Sequence, residues 1–254
     1  MDEPVLLHAE EGILTITLNR PRARNAVDLP TAHALAAAMD LLDSDPTLRV
    51  GILTGAGGTF CAGMDLKGFL GGEMPLLPGR GFAGFVERPP RTPLIAAVEG
   101  YALAGGFEIV LACDLAVAAD DAQFGLPETR RGLVAAAGGL VRLPRMVPYR
   151  IALELALTGA TIDARRAYEL GLLNRVVGSG GALATARELA HTIAANGPLA
   201  VATSKRVMRD SLGWSDAELW ERQHEETAPI FASDDAREGA AAFAERRAPA
   251  WRGR

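Results

Sequence analysis

The sequence predicts an α/β protein made of repeated β-β-α units and closed by a helical C-terminal region. Two observations carry this. First, one pattern occurs three times: an apolar strand, a turn, an aromatic residue and a stretch of small residues. It runs through ILTGAGGTFCAG at 52–63 with Phe60, IAAVEGYALAGG at 95–106 with Tyr101, and LAVAADDAQFGLPE at 115–128 with Phe124. Second, the texture turns helical from about Pro148, with capping residues such as Asp163, Gly171 and Ser215. The 254 residues can bury a large core as one domain, or as one domain with a smaller appendage. We expect the repeat-built core over 1–196 and the helical region over 197–254.

Taken in order, residues 12–18 alternate apolar and polar and predict the first strand. Asp28 and Thr31 lie near the start of a helix that carries Leu35, Ala38, Met39 and Leu42 on one side. The segment 68–84 holds six glycines together with Pro75 and Pro78. It reads either as a surface loop or as a mobile lid beside a site. Asp163 suits the N-cap of a short helix over 164–170, and Gly171 suits its C-terminal cap. Ser215 and Glu218 form a capping-box pair. Helices are expected over 181–196, 198–211, 215–232 and 233–247. Leu199, Val207, Leu219 and Phe231 are expected to bury against the core or another subunit.

Composition narrows the function. Apolar residues make up 49% and charged residues 22%, which fits a globular protein rather than a disordered chain. A net charge of −5 argues against nucleic acid as the main partner. No apolar run reaches the roughly 20 residues that span a bilayer. The opening MDEPVLLHAEEG is acidic where a secretory signal is basic. The two cysteines, Cys61 and Cys113, sit in apolar surroundings and read as free thiols of a reducing, cytoplasmic compartment. His8, His33, His191 and His224 lack metal-ligand spacing, so no metal site is expected. Gly55, Ala56, Gly57 and Gly58 follow a strand, but Phe60 stands where a dinucleotide fingerprint needs glycine, and no P-loop lysine follows. A Gly-x-Ser-x-Gly elbow is also missing.

The chemistry concentrates between 98 and 139. Glu108 is the single charge between Glu99 and Asp114, and a lone carboxylate in an apolar run is costly to bury without a task or a partner. Glu128 ends the next apolar strand; taken alone it reads as a strand-end residue paired with Arg130 or Arg131. Gly105 and Gly106 open a helix, where unpaired N–H groups face outward and glycine admits a ligand closely. The loop at 61–65 follows the equivalent strand of the preceding unit. Two N–H groups from these adjacent loops would converge on one oxygen, as in an oxyanion hole. Two carboxylates beside such a hole point to acid/base chemistry.

At these residues the chain resembles the enoyl-CoA hydratase/isomerase (crotonase) superfamily over nearly its whole length. The resemblance rests on Asn19, Arg20 and Pro21 with Asn25 and Ala26; FCAGMDLK at 60–67; GYALAGGFE at 100–108; and FGLPE at 124–128. It continues through Gly138 and Gly139, LPR at 143–145 and FAERR at 243–247. It implies a crotonase-like spiral of β-β-α turns, a C-terminal helical trimerisation region, and a homotrimer or dimer of trimers. It implies an acyl-CoA thioester as substrate, with coenzyme A entering as part of that substrate and no separate cofactor.

By the same resemblance the thioester oxygen would lie between the N–H groups of Met64 and Gly105. Glu108 would hold and activate water, and Glu128 would exchange a proton with the α-carbon. Arg22 and Arg24, the run Ala62, Gly63, Met64, Asp65, Leu66 and Lys67, and the helical region near Lys205 would contact CoA. Phe243 and Arg246 would do so from a neighbouring subunit. The chain departs from the family pattern in two places. It reads Ala135, Ala136, Ala137 where hydratases often have Pro-Gly-Ala, which puts a methyl of Ala136 beside the expected acyl tail. It also has Ala104 where many members have glycine. The implied reaction is hydration of a trans-2-enoyl-CoA or its reverse. The ending at 243–254 looks like the carnitinyl-CoA dehydratase branch, which is the alternative, together with a Δ3,Δ2-enoyl-CoA isomerase. A non-catalytic acyl-CoA binder would have no need of two carboxylates.

Overall fold

The computed structural model describes residues 3–254. The chain opens with β1 (Val5–Glu10) and β2 (Ile13–Leu18), then α1 (Leu29–Ser44) and β3 (Val50–Gly55). A short α2 (Leu66–Leu70) and the strands β4 (Leu76–Leu77) and β5 (Gly81–Phe82) precede β6 (Leu94–Val98), β7 (Tyr101–Leu103) and α3 (Gly105–Ala112). There follow β8 (Leu115–Ala119), β9 (Gln123–Gly125), α4 (Gly139–Met146), α5 (Tyr149–Thr158), β10 (Thr161–Asp163), α6 (Ala164–Glu169) and β11 (Arg175–Val177). The chain closes with α7 (Ala182–Ala194), α8 (Pro198–Asp210), α9 (Leu219–Phe231) and α10 (Asp234–Glu245).

The three repeats become three turns of a spiral. Their long strands β3, β6 and β8 lie side by side, parallel, in a six-stranded sheet of order β1-β2-β3-β6-β8-β11. Their short strands stack in a second layer, where Cys61 bridges Ala102 in parallel and β7 pairs β9. Each turn of chain therefore adds one strand to each layer. The long strands are near-continuous apolar runs because both faces of the sheet are covered. On one face α7 lays Ala182, Ala186 and Ala190 against Val50, Ile52, Ile95 and Val117. These alanines recur every fourth residue, so one helical stripe of small side chains lets the backbone approach the sheet. On the other side Phe107 and Phe124 pack with ring centroids 5.7 Å apart in the spiral interior. Burying a ring of this size is worth about 2–3 kcal/mol.

The expected helices are found with shifts of a few residues at their ends. Asp28 caps α1 by accepting from the Thr31 N–H, and Asp163 caps α6 by accepting from Arg166. Ser215 and Glu218 bond as a pair one turn before α9 begins at Leu219. Three features were not anticipated. The expected strand at 12–18 is β2, and β1 precedes it as an antiparallel edge strand with an exposed outer side. The three-residue strands β10 and β11 complete the two sheets. The glycine-rich 68–84 segment contains the β4–β5 hairpin and drives Phe82 into the core. Its inner end is thus anchored, whatever its outer part does.

The C-terminal helices differ in character from the rest. No residue of α9 is buried, and Phe231 and Phe243 are 82% and 87% exposed. Among the described residues, no helix is long and apolar enough to cross a membrane.

Candidate active site

Two loops meet at the N-terminus of α3. Gly63, at φ 100°, lies so close to the start of α3 that a methyl on it would stand 2.8 Å from the Ala104 Cβ and 3.1 Å from the Gly105 nitrogen. Glycine is required there by both conformation and space. Gly106 is packed as tightly, since a methyl on it would fall 2.1 Å from the Cys61 carbonyl oxygen. The preceding residue, Ala104, takes φ 53° and ψ −129°, a region that glycine favours, and so turns the chain from β7 into α3.

The hydrogen bonds leave a donor free in each loop. Ala62 donates to Arg24 O at 3.0 Å, Val27 donates to Gly63 O at 2.8 Å and Asp65 donates to Val27 O at 2.9 Å. The Met64 N–H lies between these bonds, and among the described residues it has no acceptor. The Gly105 N–H, at the first position of α3, has none either. Two adjacent loops therefore offer two unpaired backbone donors.

Glu108 lies on α3, whose eight residues are all buried, and is itself 3% exposed. Its Oε1 accepts a 2.8 Å bond from the Gly139 N–H. Burial pushes this carboxyl up to about 7, against the pull of the Gly139 donor, and the nearby Glu128 charge pushes it further. Glu128 sits in the 3-10 turn Pro127–Arg131 and is 9% exposed. Burial raises its pKa as well, and its Oε2 is buried with no partner among the described residues. Its expected pairing with Arg130 or Arg131 is not made as an ion pair: Arg130 turns to Thr158 O, and Arg131 acts only as a nearby charge that draws the Glu128 pKa down.

Sequence reasoning missed Arg142. This half-buried cation donates to Ala137 O and Val86 O, tying the turn before α4 to the segment that follows β5. Burial lowers its pKa while the Glu108 charge holds it up, so the two feel each other. The available signal was a lone arginine between Val141 and Leu143, which looks like any surface position of an amphipathic helix.

The other expected site residues fall into three groups. Arg22, Arg24, Leu66 and Lys67 are exposed around the Met64 loop, and none of the three cations forms an ion pair among the described residues. Ala62 is partly buried in that loop, and Ala136 is exposed on the turn that leads to Gly139. Asp65 and Lys205 are committed elsewhere. Asp65 caps α2, accepting from Lys67 and Gly68, and pairs with Arg20 at 2.9 Å. Its side chain is thus spent within the protein and is not free to grip a ligand. Lys205 is bonded to Asp114 at 2.5 Å and to Thr92 O at 3.0 Å. Thr92 and Asp114 lie just before β6 and β8, so the Lys205 ammonium is held at the start of these strands.

Two buried carboxyls beside two unpaired N–H donors can move protons next to an oxygen that gains negative charge. The chain belongs to the enoyl-CoA hydratase/isomerase family, whose model matches residues 8–254. It is 44% identical over 252 residues to the enoyl-CoA hydratase EchA19 of Mycobacterium tuberculosis, covering 95% of this chain and 93% of that protein. It is 41% identical over 262 residues to the carnitinyl-CoA dehydratase of Proteus mirabilis, covering both chains in full. The fold is that of the crotonases: the crystal structure of enoyl-CoA hydratase EchA1 from Mycobacterium marinum superposes with a TM-score of 0.98, at 57% identity over the whole of both chains.

Proposed function

We propose that the protein is a lyase that adds water to a trans-2-enoyl-CoA, giving a 3-hydroxyacyl-CoA, or runs the reverse dehydration. Glu108, as carboxylate, takes a proton from water while the water oxygen bonds to C3. The displaced electron pair moves to the thioester oxygen, and the Met64 and Gly105 N–H groups hold the resulting enolate. Glu128, as carboxylic acid, then delivers its proton to C2. Such an enolate is poorly stabilised in bulk water, and preorganised donors contribute most where charge develops. The observation that carries the reading is the pair of buried, raised carboxyls beside the two unpartnered N–H groups. The unpartnered Glu128 Oε2 supports the assignment, since a buried acid oxygen needs a water or substrate partner.

The exposed Arg22, Arg24 and Lys67 supply unpaired cations for the phosphates of CoA. The Ala136 methyl would border the acyl tail. The exposed apolar residues of α8–α10, Phe243 among them, support a homotrimer or a dimer of trimers.

A second reading, dehydration of a carnitinyl-CoA, is favoured by the full-length identity to that dehydratase. It uses the same residues on a charged acyl group. The test is turnover of a panel of enoyl-CoAs, including crotonobetainyl-CoA, followed at the conjugated thioester absorbance. Activity on simple enoyl-CoAs that disappears in Glu108→Gln supports hydration. Activity restricted to the trimethylammonium substrate moves the protein to the second reading. Double-bond migration without hydration would make it an isomerase.

A further inference from the structure

Arg20 is the centre of a bonded knot that the proposed reaction does not use. Its Nη2 lies 2.9 Å from Asp65 Oδ2 and 3.0 Å from Asp28 Oδ2, and its Nη1 donates to Ala26 O. All three side chains are shielded, with Arg20 24% exposed. Partial burial disfavours the Asp65 charge, but the Arg20 guanidinium and the N–H groups of Lys67 and Gly68 outweigh it and hold the carboxyl below its usual range. The Arg20 N–H also donates to Asn25 Oδ1 at 2.9 Å, and Asn25 Nδ2 reaches Ala56 O and Thr59 O.

The partners have one thing in common. Asp28 caps α1 and Asp65 caps α2, and the segment between Arg24 and Val27 forms the backbone bridge to 62–65. That bridge fixes residues 62, 63 and 65 and leaves the Met64 N–H as the one unpaired donor in the loop. Arg20 thus clamps the carboxyl of the residue immediately after Met64 to Ala26 and Asp28, which flank the Val27 that Met64 bridges.

We propose that Arg20, acting through Asp65, is a positioning residue that aims the Met64 N–H into the oxyanion hole; this rests on the proposed role of Met64. The planar guanidinium suits the task, because it reaches two carboxylates and a carbonyl at fixed angles that a lysine ammonium does not reproduce. An oxyanion donor works only when prealigned, and an error on the order of 1 Å can cost 10²-fold in rate.

The test uses Arg20→Met, Arg20→Lys, Asp65→Asn and the Arg20→Met/Asp65→Asn pair. Asp65→Asn keeps an oxygen to cap α2 but turns an amide toward Arg20, and it serves if Arg20→Met does not fold. Two readouts are taken: kcat and KM for hydration, and the carbonyl stretch of a bound 13C-labelled saturated acyl-CoA. The wild-type stretch should shift to lower frequency on binding. Each folded single variant should lose roughly tenfold or more in kcat, with KM within about threefold, and should lose part of the shift. Arg20→Lys should fall between wild type and Arg20→Met. The double variant should be little worse than either single one, because both act on one bond network. A folded variant with lowered kcat but the full wild-type shift, or additive losses in the double variant, would overturn the proposal. An absent shift in the wild type would instead sink the role of Met64 itself.

Discussion

The N–H of Gly139 donates a 2.8 Å hydrogen bond to Oε1 of Glu108, across 31 residues of sequence. The same closeness crowds any side chain at 139, since a Cβ there would stand 3.0 Å from both the Cγ and Oε1 of Glu108 and the carboxyl would have to give way. Gly139→Ala should therefore push the Glu108 carboxyl off its position while leaving the fold intact. We expect a fall in kcat of about 10²-fold with a small change in KM. Unchanged steady-state kinetics in a folded Gly139→Ala protein would mean that Glu108 does not need this anchor.

The Glu108 pKa of about 7 sets the pH dependence. As the proposed base it must be ionised, so kcat for hydration should fall as pH drops below about 7. Arg142 draws the Glu108 value down by its charge, so Arg142→Met should move the acid limb to higher pH. A limb left in place would show that the limb does not report Glu108.

The same shift predicts a stability trend. The folded protein holds the Glu108 proton more tightly than the unfolded chain, so this group stabilises below about pH 4.5. The contribution is lost as pH rises through about 7. Above that range, ionising the buried carboxyl costs about 3 kcal/mol. Glu108→Gln should therefore melt above wild type at pH 8 and lose that advantage near pH 4. Equal differences in Tm at both pH values would contradict this account of the burial.

Ala104 predicts an effect of opposite character. Its φ of 53° with ψ −129° carries strain of about 1–3 kcal/mol in a non-glycine residue. Glycine relieves this but adds freedom to the unfolded chain. The net expectation for Ala104→Gly is a gain of about 1 kcal/mol, read as about 2–4 °C in Tm. A lower Tm would show that the alanine methyl, packed beside Gly63, contributes more than the strain costs.

The C-terminal helices should assemble the protein. Their exposed aromatic residues Trp220, Phe231 and Phe243 are unusual for a monomer surface. Light scattering at micromolar concentration should give the mass of a trimer or hexamer. A clean monomer would remove the role proposed for these helices.

Much of this was legible in the chain, for physical reasons. Glu108 stood out because a charge inside an apolar run is rare and costly. Gly105 and Gly106 stood out because glycines opening a helix leave its first N–H groups approachable, although Gly106 also serves the close contact with Cys61. The spiral was legible because each turn repeats the same strand, turn and aromatic. Arg142 was not, because an arginine on an amphipathic helix reveals nothing of the carbonyls it will meet. Arg20 and Asp65 were read as motif positions, while their bond spans 45 residues and belongs to the tertiary structure. The bond of Lys205 was hidden for the same reason, since its partner Asp114 is 91 residues away. The strands β10 and β11 are three residues long, too short for any periodicity to register.

The central claim is that Glu108 and Glu128 act together on one substrate. It is tested most directly by kcat for hydration of a short enoyl-CoA in Glu108→Gln, Glu128→Gln and the double variant, with CoA-ester affinity measured alongside. Each single change should cost roughly 10²–10⁴-fold in kcat with little change in affinity, and the double variant should be scarcely slower than the worse single one. Full hydratase activity in Glu128→Gln, with loss only in Glu108→Gln, would contradict the two-carboxylate account.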